Sequence, residues 1–478
     1  MSWEAIIGLE VHAQLKTKTK MFCSCANLYG AEPNSLICPV CTAQPGSLPV
    51  VNAKAVELAT RAGLALGGCI QHKSIFARKN YFYPDLTKNY QISQFDFPIV
   101  QGGELSIQLE NKTTKKISIT RIHMEEDAGK LSHDLGHADK SHVDYNRCGV
   151  PLIEIVSGPD IRSSEEAGEY LRKLRQILMY IEACEGNMKK GQLRCDANVS
   201  VRKIGTTTFN TRTEVKNLNS FKAVERAINF EIARQSKIYD GGGKVAQETL
   251  LWDDDKGCTI CIRSKEEAHD YRYFPDPDLL PVLLDEKYIS DVHQHLPELA
   301  EAKAKRFVEN FGLPEYDAQV LTSEKALSLY FEACVATYNS PKKLSNWVMV
   351  ELLRELNQEN LDIEQCRIKP ASLAELVKMI DEGKISGKMA KDVFIEMYKS
   401  GKEPADIVAT SGMQLITDAS KLEAVIDDVI KNNQKQLEQY KAGKVALFGY
   451  FVGQVMKATQ GQADPKLTND LLQQKLSS

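Results

Sequence analysis

The spacing of apolar residues changes once along the chain, at a segment with three prolines, YFPDPDLLPVLL at residues 273–284. Before it, apolar and polar residues alternate in short runs such as IIGLEVHAQL; after it, apolar residues recur three and four apart, as in EKALSLYFEACVATY. Alternation predicts half-buried strands, and the wider spacing predicts amphipathic helices. We therefore expect an α+β protein with a strand-rich N-terminal domain over residues 1–292, an all-α domain over 293–404 and a small all-α tail domain over 405–478.

Three helices are expected to interrupt the strands of the N-terminal domain. Asn52 precedes the periodic run AKAVELATRAGLAL, and another helix is predicted in NSFKAVERAINFEIARQSK. In SSEEAGEYLRKLRQILMYI, Ser163 is followed three residues later by Glu166, which is the spacing of a capping box. These caps predict where the helices begin.

The composition is that of an ordinary globular protein: of 478 residues, 43% are hydrophobic and 26% are charged, with a net charge of −4. This balance does not indicate a general nucleic-acid binder, so contacts with RNA must come from local patches, and DNA is not an expected partner. The N-terminal residues lack the features of a signal peptide, and the absence of long apolar runs argues against a membrane partner. Twelve cysteines in such a chain predict a reducing cytoplasm, where thiols stay free or bind metal.

Four cysteines form a compact motif. Cys23, Cys25, Cys38 and Cys41 stand in the arrangement C-x-C-x12-C-x2-C within MFCSCANLYGAEPNSLICPVC. Two short chelating pairs joined by a turn-rich loop suit tetrahedral coordination of Zn²⁺ by thiolates, and a motif without histidine predicts a closed, structural site. The alternative is four free thiols in a mobile loop.

Three consecutive carboxylates, Glu125, Glu126 and Asp127, stand in HMEEDAGK and repel one another unless water or a cation solvates them. Alternation along ISITRIHMEED predicts one strand face with Ile117, Ile119, Arg121, His123 and Glu125, and the other with Ile122, Met124 and Glu126. Near the N-terminus, Glu10 and His12 are two residues apart and are therefore expected on one strand face. A histidine and a carboxylate placed in this way can share a cation.

A second pair of carboxylates is expected on a hairpin. The segment LRCDANVSVRKIGTTTFNTRTEVKNL predicts two strands joined by a five-residue loop at 203–207, which pairs residue 202 with residue 208. Asp196 then lies opposite Glu214, and Asn198 lies opposite Arg212. Like charges that face each other across strands are tolerated when they are solvated, screened by neighbours such as Lys216, or bridged by a divalent ion. Such acids suit Mg²⁺ completed by substrate phosphates; the alternative is a solvated acidic surface.

The segment RKNYFYPDLTKNYQISQ, residues 78–94, mixes basic and aromatic residues, including Lys79, Tyr81 and Tyr83. This composition is typical of a loop that stacks on a base or clamps a nucleotide strand. Packed aromatic rings with solvated lysines explain it nearly as well. The sequence contains no P-loop, no nucleophile elbow and no dinucleotide-binding glycine motif, so ATP chemistry would need an acidic metal site.

Several blocks of the sequence closely resemble one protein family. They are IGLEVHAQL, RKNYFYPDL, HMEEDAGK, DYNRCGVPLIEIVSGPDIRSSEEA, LRCDANVSVR, TRTEVKNLNSF and RSKEEAHDYRYFPDPDLLP. Through them the whole chain is similar to the B subunits of the bacterial tRNA-dependent amidotransferases. The resemblance implies an N-terminal cradle domain followed by a helical domain and a small tail domain. It also implies ATP-dependent amidation of Glu-tRNA(Gln), Asp-tRNA(Asn) or both.

In that family, ATP and Mg²⁺ serve to phosphorylate the side-chain carboxylate of the misacylated tRNA, and ammonia then displaces the phosphate. The resemblance implies that the ammonia comes from a partner glutaminase, the A subunit, in a heterotrimer completed by a small C subunit. The same chain is also compatible with a function of a different class, a non-catalytic, zinc-stapled scaffold that binds tRNA.

The resemblance also implies roles for individual residues. His12, Glu125 and Glu248 are expected to bind one Mg²⁺, and Glu10, Asp196 and Glu214 to support a second ion or the attacking carboxylate. The expected nucleotide and tRNA contacts are Lys79, Tyr81, Tyr83, Arg212 and Lys216, together with Lys457 and Lys466 of the tail. Cys23, Cys25, Cys38 and Cys41 match zinc positions of family members. This sequence has Asn210 and Leu250 where the family usually has glycine and arginine.

Overall fold

The computed structural model describes residues 3–132, 140–264, 270–411, 415–416, 418–459 and 461–477. The chain divides into two units, Met1–Leu299 and Ala300–Ser478. Every named element in the described part of the second unit is a helix, whereas the first unit is rich in strands. The predicted fold class is therefore confirmed, and the three-domain division remains a prediction.

The first unit is built on seventeen described strands and four described helices. The strands are β1 (Trp3–Gln14), β2 (Cys69–Ile70), β3 (Lys73–Ser74), β4 (Ala77–Asn80), β5 (Tyr90–Ser93), β6 (Val100–Gln101), β7 (Glu104–Gln108), β8 (Thr114–Glu126), β9 (Lys130–Ser132), β10 (His142–Asp144), β11 (Pro151–Ser157), β12 (Leu193–Lys203), β13 (Thr213–Leu218), β14 (Glu248–Asp253), β15 (Cys258–Ser264), β16 (Phe274–Pro275) and β17 (Val282–Leu283). The helices are α1 (Ala53–Ala65), α2 (Ser164–Tyr180), α3 (Phe221–Asp240) and α4 (Glu286–Gln294).

A ten-stranded sheet organises the first unit. Its order is β15-β14-β13-β12-β1-β11-β8-β6-β2, with β7 paired to β8. All neighbours are antiparallel except β13 and β14, which are parallel. A smaller sheet, β16-β4-β5, contacts the large one where β5 meets β8.

The large sheet is apolar on one face and polar on the other. On β1, Ile7, Leu9, Val11 and Ala13 are fully buried in the core, against which α1, α2 and α3 pack. Because side chains alternate along a strand, the intervening residues of β1, among them Glu10 and His12, lie on the opposite face. Burial of one face therefore determines which side chains line the other.

The helix starts predicted from sequence are confirmed. The Asn52 side chain accepts hydrogen bonds from Lys54 N and Ala55 N at the start of α1, and Ser220 caps α3. At the start of α2, Ser163 Oγ accepts from Glu166 N, but the Glu166 carboxylate accepts from Arg162 N rather than from Ser163 N. The capping box is therefore only half formed.

The predicted faces of β8 need one correction. Val156 of β11 pairs with Arg121 of β8, and the next residue, Ser157, pairs with Ile119. Thr120 therefore has no partner on β11 and forms a β-bulge. The bulge reverses the alternation. As a result Ile117 and Ile119 share the core face with Ile122 and Met124, while His123 and Glu125 project from the polar face.

The register predicted for the hairpin is wrong by two residues. Asn198 pairs with Glu214 and Val199 pairs with Thr213, and the connection spans residues 204–212 instead of five residues. The physical reason is a contact from α3: Gln235 Nε2 donates to Val199 O at 3.0 Å and to Thr213 Oγ1 at 2.9 Å, which holds these two residues opposite each other. A shift of two residues keeps every side chain on its predicted face.

The second unit is helical. Its elements are α5 (Ala300–Phe311), α6 (Glu315–Leu321), α7 (Lys325–Thr337), α8 (Pro341–Asn346), a π-helical turn (Trp347–Leu352), α9 (Leu353–Glu359), α10 (Pro370–Asp381), α11 (Gly387–Ser400), α12 (Pro404–Ser411), α13 (Ala419–Asn432), α14 (Gln434–Lys441), α15 (Leu447–Ala458) and α16 (Pro465–Ser477). Helices α5 to α12 share one hydrophobic core, and α13, α15 and α16 share another. Among the helices that the structure describes, none combines the length and the apolar character that crossing a membrane requires.

A buried carboxylate ties α3 to the sheet. Glu231 is fully buried and accepts hydrogen bonds from Thr213 Oγ1 at 2.9 Å, from Thr259 Oγ1 at 2.7 Å and from Arg234 Nε at 2.8 Å. Removing this carboxylate leaves buried donors such as the Thr213 hydroxyl and the Gln235 amide without their acceptor, and each unmatched buried donor costs about 1–3 kcal/mol.

We expect Glu231→Ala to lower the unfolding free energy of the first unit by about 3–5 kcal/mol. Urea unfolding followed through Trp3 and Trp252, which both lie in the first unit, in a Trp347→Phe background would measure the loss. The control Arg226→Ala changes another residue of α3 and breaks its exposed ion pair with Asp254. It should lower the unfolding free energy by less than about 1 kcal/mol. Equal losses in the two variants would contradict the assignment.

The pH dependence of this effect has a definite sign. Burial alone would raise the pKa of Glu231. The hydrogen bonds from Arg234 and Thr259 lower the pKa by more, so that it lies below the ordinary value of 4.5. A lowered pKa stabilises the fold above the unfolded-state pKa, and this contribution is lost as the pH falls through the native pKa. The difference between wild type and Glu231→Ala should therefore shrink below a pH of about 4.5.

Candidate functional site

Three potential metal ligands meet on the polar face of the large sheet. His12 on β1 lies opposite Glu154 on β11, and Glu154 lies opposite His123 on β8. Ligand atoms of His12, Glu125 and Glu154 all lie within 4.8 Å of one another. We call these three residues the carboxylate–histidine cluster. An imidazole and two carboxylates at this spacing are suited to one divalent cation.

His123 lies between the two carboxylates of the cluster. Its Nε2 is 3.1 Å from Glu125 Oε1 and 3.1 Å from Glu154 Oε2. Burial lowers the pKa of His123, but the carboxylates of Glu154 and Glu125 outweigh it and raise the pKa to about 9. Conversely, burial raises the pKa of Glu154, but His123 and His12 hold it well below its ordinary value. The cluster therefore keeps its carboxylates ionised even though they are buried.

The segment at residues 78–94 supports this cluster. Glu125 accepts hydrogen bonds from Ser93 Oγ at 2.6 Å and from Gln91 Nε2 at 3.1 Å, and Gln91 Oε1 accepts from Tyr81 OH. Burial lowers the pKa of Lys79, but the nearby Glu125 carboxylate reverses this and raises it. The structure thus brings Lys79 and Tyr81 to the cluster.

A second group of acids lies beside the cluster on β1, β12 and β13. Lys216 Nζ is 2.6 Å from Asp196 Oδ2 and 2.7 Å from Glu214 Oε1. Glu10 lies opposite Asp196 in the sheet, and its Oε1 accepts a hydrogen bond from Asn198 Nδ2 at 2.8 Å. Burial, and next the charge of Glu154, raise the pKa of Glu10. Glu10 therefore takes up a proton at a higher pH than an ordinary glutamate does.

The three consecutive carboxylates of HMEEDAGK point to three different sets of partners. Only Glu125 joins the cluster. Glu126 accepts from Lys88 Nζ at 2.5 Å and from Ile92 N at 3.0 Å. Asp127 Oδ2 lies 2.9 Å from Gln14 Nε2 and 3.0 Å from Arg194 Nη2. Their mutual repulsion is thus relieved by separate cations and donors.

Glu248 does not join the cluster, which corrects the set of Mg²⁺ ligands expected from the resemblance. Its neighbour Thr249 lies opposite Glu214 and donates to it, so alternation places Glu248 on the core face. There it lies 3.9 Å from Arg234 Nη2, and Leu250 is buried on the same side. The cluster instead contains Glu154, which the sequence analysis missed.

The remaining expected contacts lie elsewhere. Arg212 is exposed and precedes β13, and the Tyr83 side chain is 57% exposed without a described contact to the cluster. Lys457 lies in the last turn of α15 and Lys466 in the first turn of α16, both in the second unit. Asn210 donates to Val201 O at 2.7 Å and so helps to close the long connection between β12 and β13.

The four cysteines of the predicted zinc motif converge. Potential ligand atoms of Cys23, Cys25, Cys38 and Cys41 lie within 4.8 Å of one another, and the Sγ atoms of Cys38 and Cys41 are 3.9 Å apart. Tetrahedral zinc with bonds of about 2.3 Å requires a similar spacing of its thiolates. A hydrogen bond from Cys23 lowers the pKa of Cys41 to about 4, and Lys20 acts in the same direction. By contrast, the pKa of Cys23 is raised, chiefly by its hydrogen bond with Cys41, and burial raises the pKa of Cys25 to about 11. The arrangement therefore favours a thiolate at Cys41, and the spacing of the four sulfur atoms fits a structural zinc site.

Comparison with known proteins identifies the family of the chain. A family model described as the GatB/GatE catalytic domain matches residues 5–290, and one described as the GatB domain matches residues 329–476. Proteins named as the B subunit of aspartyl/glutamyl-tRNA(Asn/Gln) amidotransferase are similar over nearly the whole of both chains. The one from Geotalea daltonii is 54% identical over 478 residues, covering 100% of each chain, and the one from Trichlorobacter lovleyi is 55% identical over 477 residues, again covering 100% of each. That of Thermodesulfovibrio yellowstonii is 53% identical over 472 residues, or 99% of each chain.

These matches confirm the resemblance that was drawn from the sequence motifs. The chain belongs to the family of the GatB/GatE catalytic domain.

Proposed function

We propose that this chain is the catalytic subunit that amidates misacylated tRNA, acting on Glu-tRNA(Gln), Asp-tRNA(Asn) or both. Two observations support the proposal. The relatives carry the name of an amidotransferase subunit acting on these tRNAs. The observation that carries the chemistry is the convergence of His12, Glu125 and Glu154 on one sheet face, beside a second group of acids and lysines.

The cluster fits a magnesium ion because its carboxylates are buried, ionised and close together. We infer that His12, Glu125 and Glu154 hold Mg²⁺, with Glu10, Asp196 and Glu214 on the side where a second ion or the substrate carboxylate binds. Bound there, magnesium supplies positive charge that neutralises the phosphates of ATP.

The side chains around the cluster account for the rest of the proposed chemistry. A carboxylate resists attack by ammonia because its oxygens are negative and hydroxide is a poor leaving group, so it must first be phosphorylated. Lys79 and Lys216 bring positive charge to where two anions have to approach. Glu10, whose raised pKa is closer to neutrality, is suited to accept the proton that the attacking ammonia loses.

The proposal includes partners. The relatives are named as B subunits, which supports a complex in which a glutaminase A subunit supplies ammonia and a small C subunit completes a heterotrimer. The tail helices offer Lys457 and Lys466 as contacts for tRNA phosphates. Such a complex would act in the cytoplasm, where tRNA is aminoacylated.

We expect Glu125→Gln and Glu154→Gln to lower tRNA-dependent phosphoryl transfer at least about 100-fold, because each removes an anionic ligand from the cluster. The assay uses the assembled complex with Glu-tRNA or Asp-tRNA and γ-labelled ATP, without an ammonia donor. Labelled phosphate transferred from ATP is measured.

The matched control is Glu248→Gln, a change of the same kind on the opposite face of the sheet. It should retain phosphoryl transfer within about threefold of wild type, since Glu248 lies apart from the cluster. All variants should bind tRNA normally in filter binding. Full phosphoryl transfer by both cluster variants would instead support the scaffold function.

We also propose that Cys23, Cys25, Cys38 and Cys41 hold a structural zinc ion. The purified protein should then contain about one zinc per chain, and Cys38→Ser should lose it, because a thiolate ligand is replaced by a weaker hydroxyl. Elemental analysis measures the metal content.

The control for zinc binding is Cys69→Ser, which changes an exposed cysteine outside the cluster and should keep the metal. Metal-free wild-type protein, with all four thiols alkylated rapidly in the folded state, would refute the zinc site.

A further inference from the structure

A lysine is buried inside the cysteine motif. Lys20 is 0% exposed, although its side chain ends in an ammonium group. Its Nζ donates to Leu36 O at 2.8 Å and to Tyr145 O at 3.4 Å, and it lies 3.6 Å from Cys41 Sγ. Its backbone N donates to Cys25 O at 3.0 Å. The residue is therefore enclosed by the motif on several sides.

The positive charge of Lys20 lies next to a sulfur atom instead of a carboxylate. Within the part of the chain that the structure describes, no carboxylate lies in ion-pair distance of its Nζ, and its polar contacts are two carbonyls and the sulfur of Cys41. Burying a cation is expensive unless an anion compensates it. Carbonyl dipoles contribute part of the compensation, and the Cys41 sulfur, as a thiolate, is the anionic group in direct contact with the ammonium.

The cysteine site has the complementary problem. Four thiolates around one divalent ion leave a net charge of −2, and an excess of negative charge in a partly buried site weakens metal binding. An N–H donor to a ligand sulfur removes electron density from it and fixes its orientation. The ammonium of Lys20 can do two things at once: it supplies positive charge beside the thiolates, and it donates an N–H to a ligand sulfur.

We propose that Lys20 is a positioning residue of the zinc site, whose buried ammonium compensates the tetrathiolate charge through Cys41. This inference rests on the proposed zinc site. The same ammonium joins the motif to the turn at Tyr145, which is also held by hydrogen bonds between Leu36 N and Asn146 Oδ1 and between Asn34 Oδ1 and Tyr145 N. Lys20 thereby makes retention of the metal and docking of the loop depend on each other.

The test compares zinc affinity in Lys20→Met with that of wild type. Methionine is one atom shorter but keeps an unbranched apolar side chain, and it removes the charge and the donor. We expect the dissociation constant for zinc, measured by competition with a chromogenic chelator, to rise at least about tenfold. Lys18→Met, the same change at an exposed position two residues away, should leave it within about twofold.

A loosened loop would also weaken zinc binding, so a second readout is needed. In the cobalt-substituted protein, loss of an N–H···S hydrogen bond raises the energy of the sulfur lone pairs. The sulfur-to-cobalt charge-transfer band should therefore move to longer wavelength in Lys20→Met, which general loosening of the loop does not predict. Lys20→Gln, which keeps a neutral donor, should show a smaller shift and serves as the second variant if Lys20→Met does not fold.

The outcomes separate the two proposals. Wild-type affinity and an unshifted cobalt band in a folded Lys20 variant would overturn the role of Lys20 alone. If wild-type protein binds neither zinc nor cobalt at the four cysteines, the zinc site itself is wrong, and the role of Lys20 is overturned with it. Weaker zinc binding together with the band shift would support the proposal.

Discussion

The alternation of side chains along β1 is the constraint on which the rest of the structure depends. The core beneath the helices contains four residues of this strand, Ile7, Leu9, Val11 and Ala13. Because side chains alternate, Glu10 and His12 must lie on the opposite face. A slip of one residue would bury both polar groups and expose the apolar ones. Because β1 pairs with β12 on one side and β11 on the other, the same constraint sets the positions of Asp196 and Glu154.

The polar face gathers more negative charge than an isolated sheet would tolerate, and it does so by pairing each acid locally. His123 lies in ion-pair distance of Glu125 and Glu154. Lys216 pairs in the same way with Asp196 and Glu214. Glu10 accepts a hydrogen bond from the neutral amide of Asn198. Despite burial, His123 lowers the pKa of Glu125 and Glu154, whereas burial and the charge of Glu154 raise the pKa of Glu10. A face with such different protonation behaviour within a few ångströms is suited to hold cations and to move a proton.

Local patterns in the sequence were sufficient for the fold class, the helix caps and the faces of the strands that carry Glu10, His12 and Asp196. They were insufficient where distant segments decide. Glu154 was missed because PLIEIVS reads as a buried apolar strand, and only its pairing with β1 and β8 shows what its one carboxylate faces. Glu248 was misplaced because a motif carries no information about the face of the strand it lies on. The hairpin register depends on the hydrogen bonds from Gln235 of α3 to Val199 and Thr213, which no local turn signal reveals.

The bulge at Thr120 divides β8 into two functional halves. Its first half pairs with β7, and its second half pairs with β11 and carries His123 and Glu125. Both halves keep isoleucines in the core, yet the extra residue uncouples the phase of one from the phase of the other. A change in the length of the outer hairpin would therefore leave the register of His123 and Glu125 with β11 unaltered.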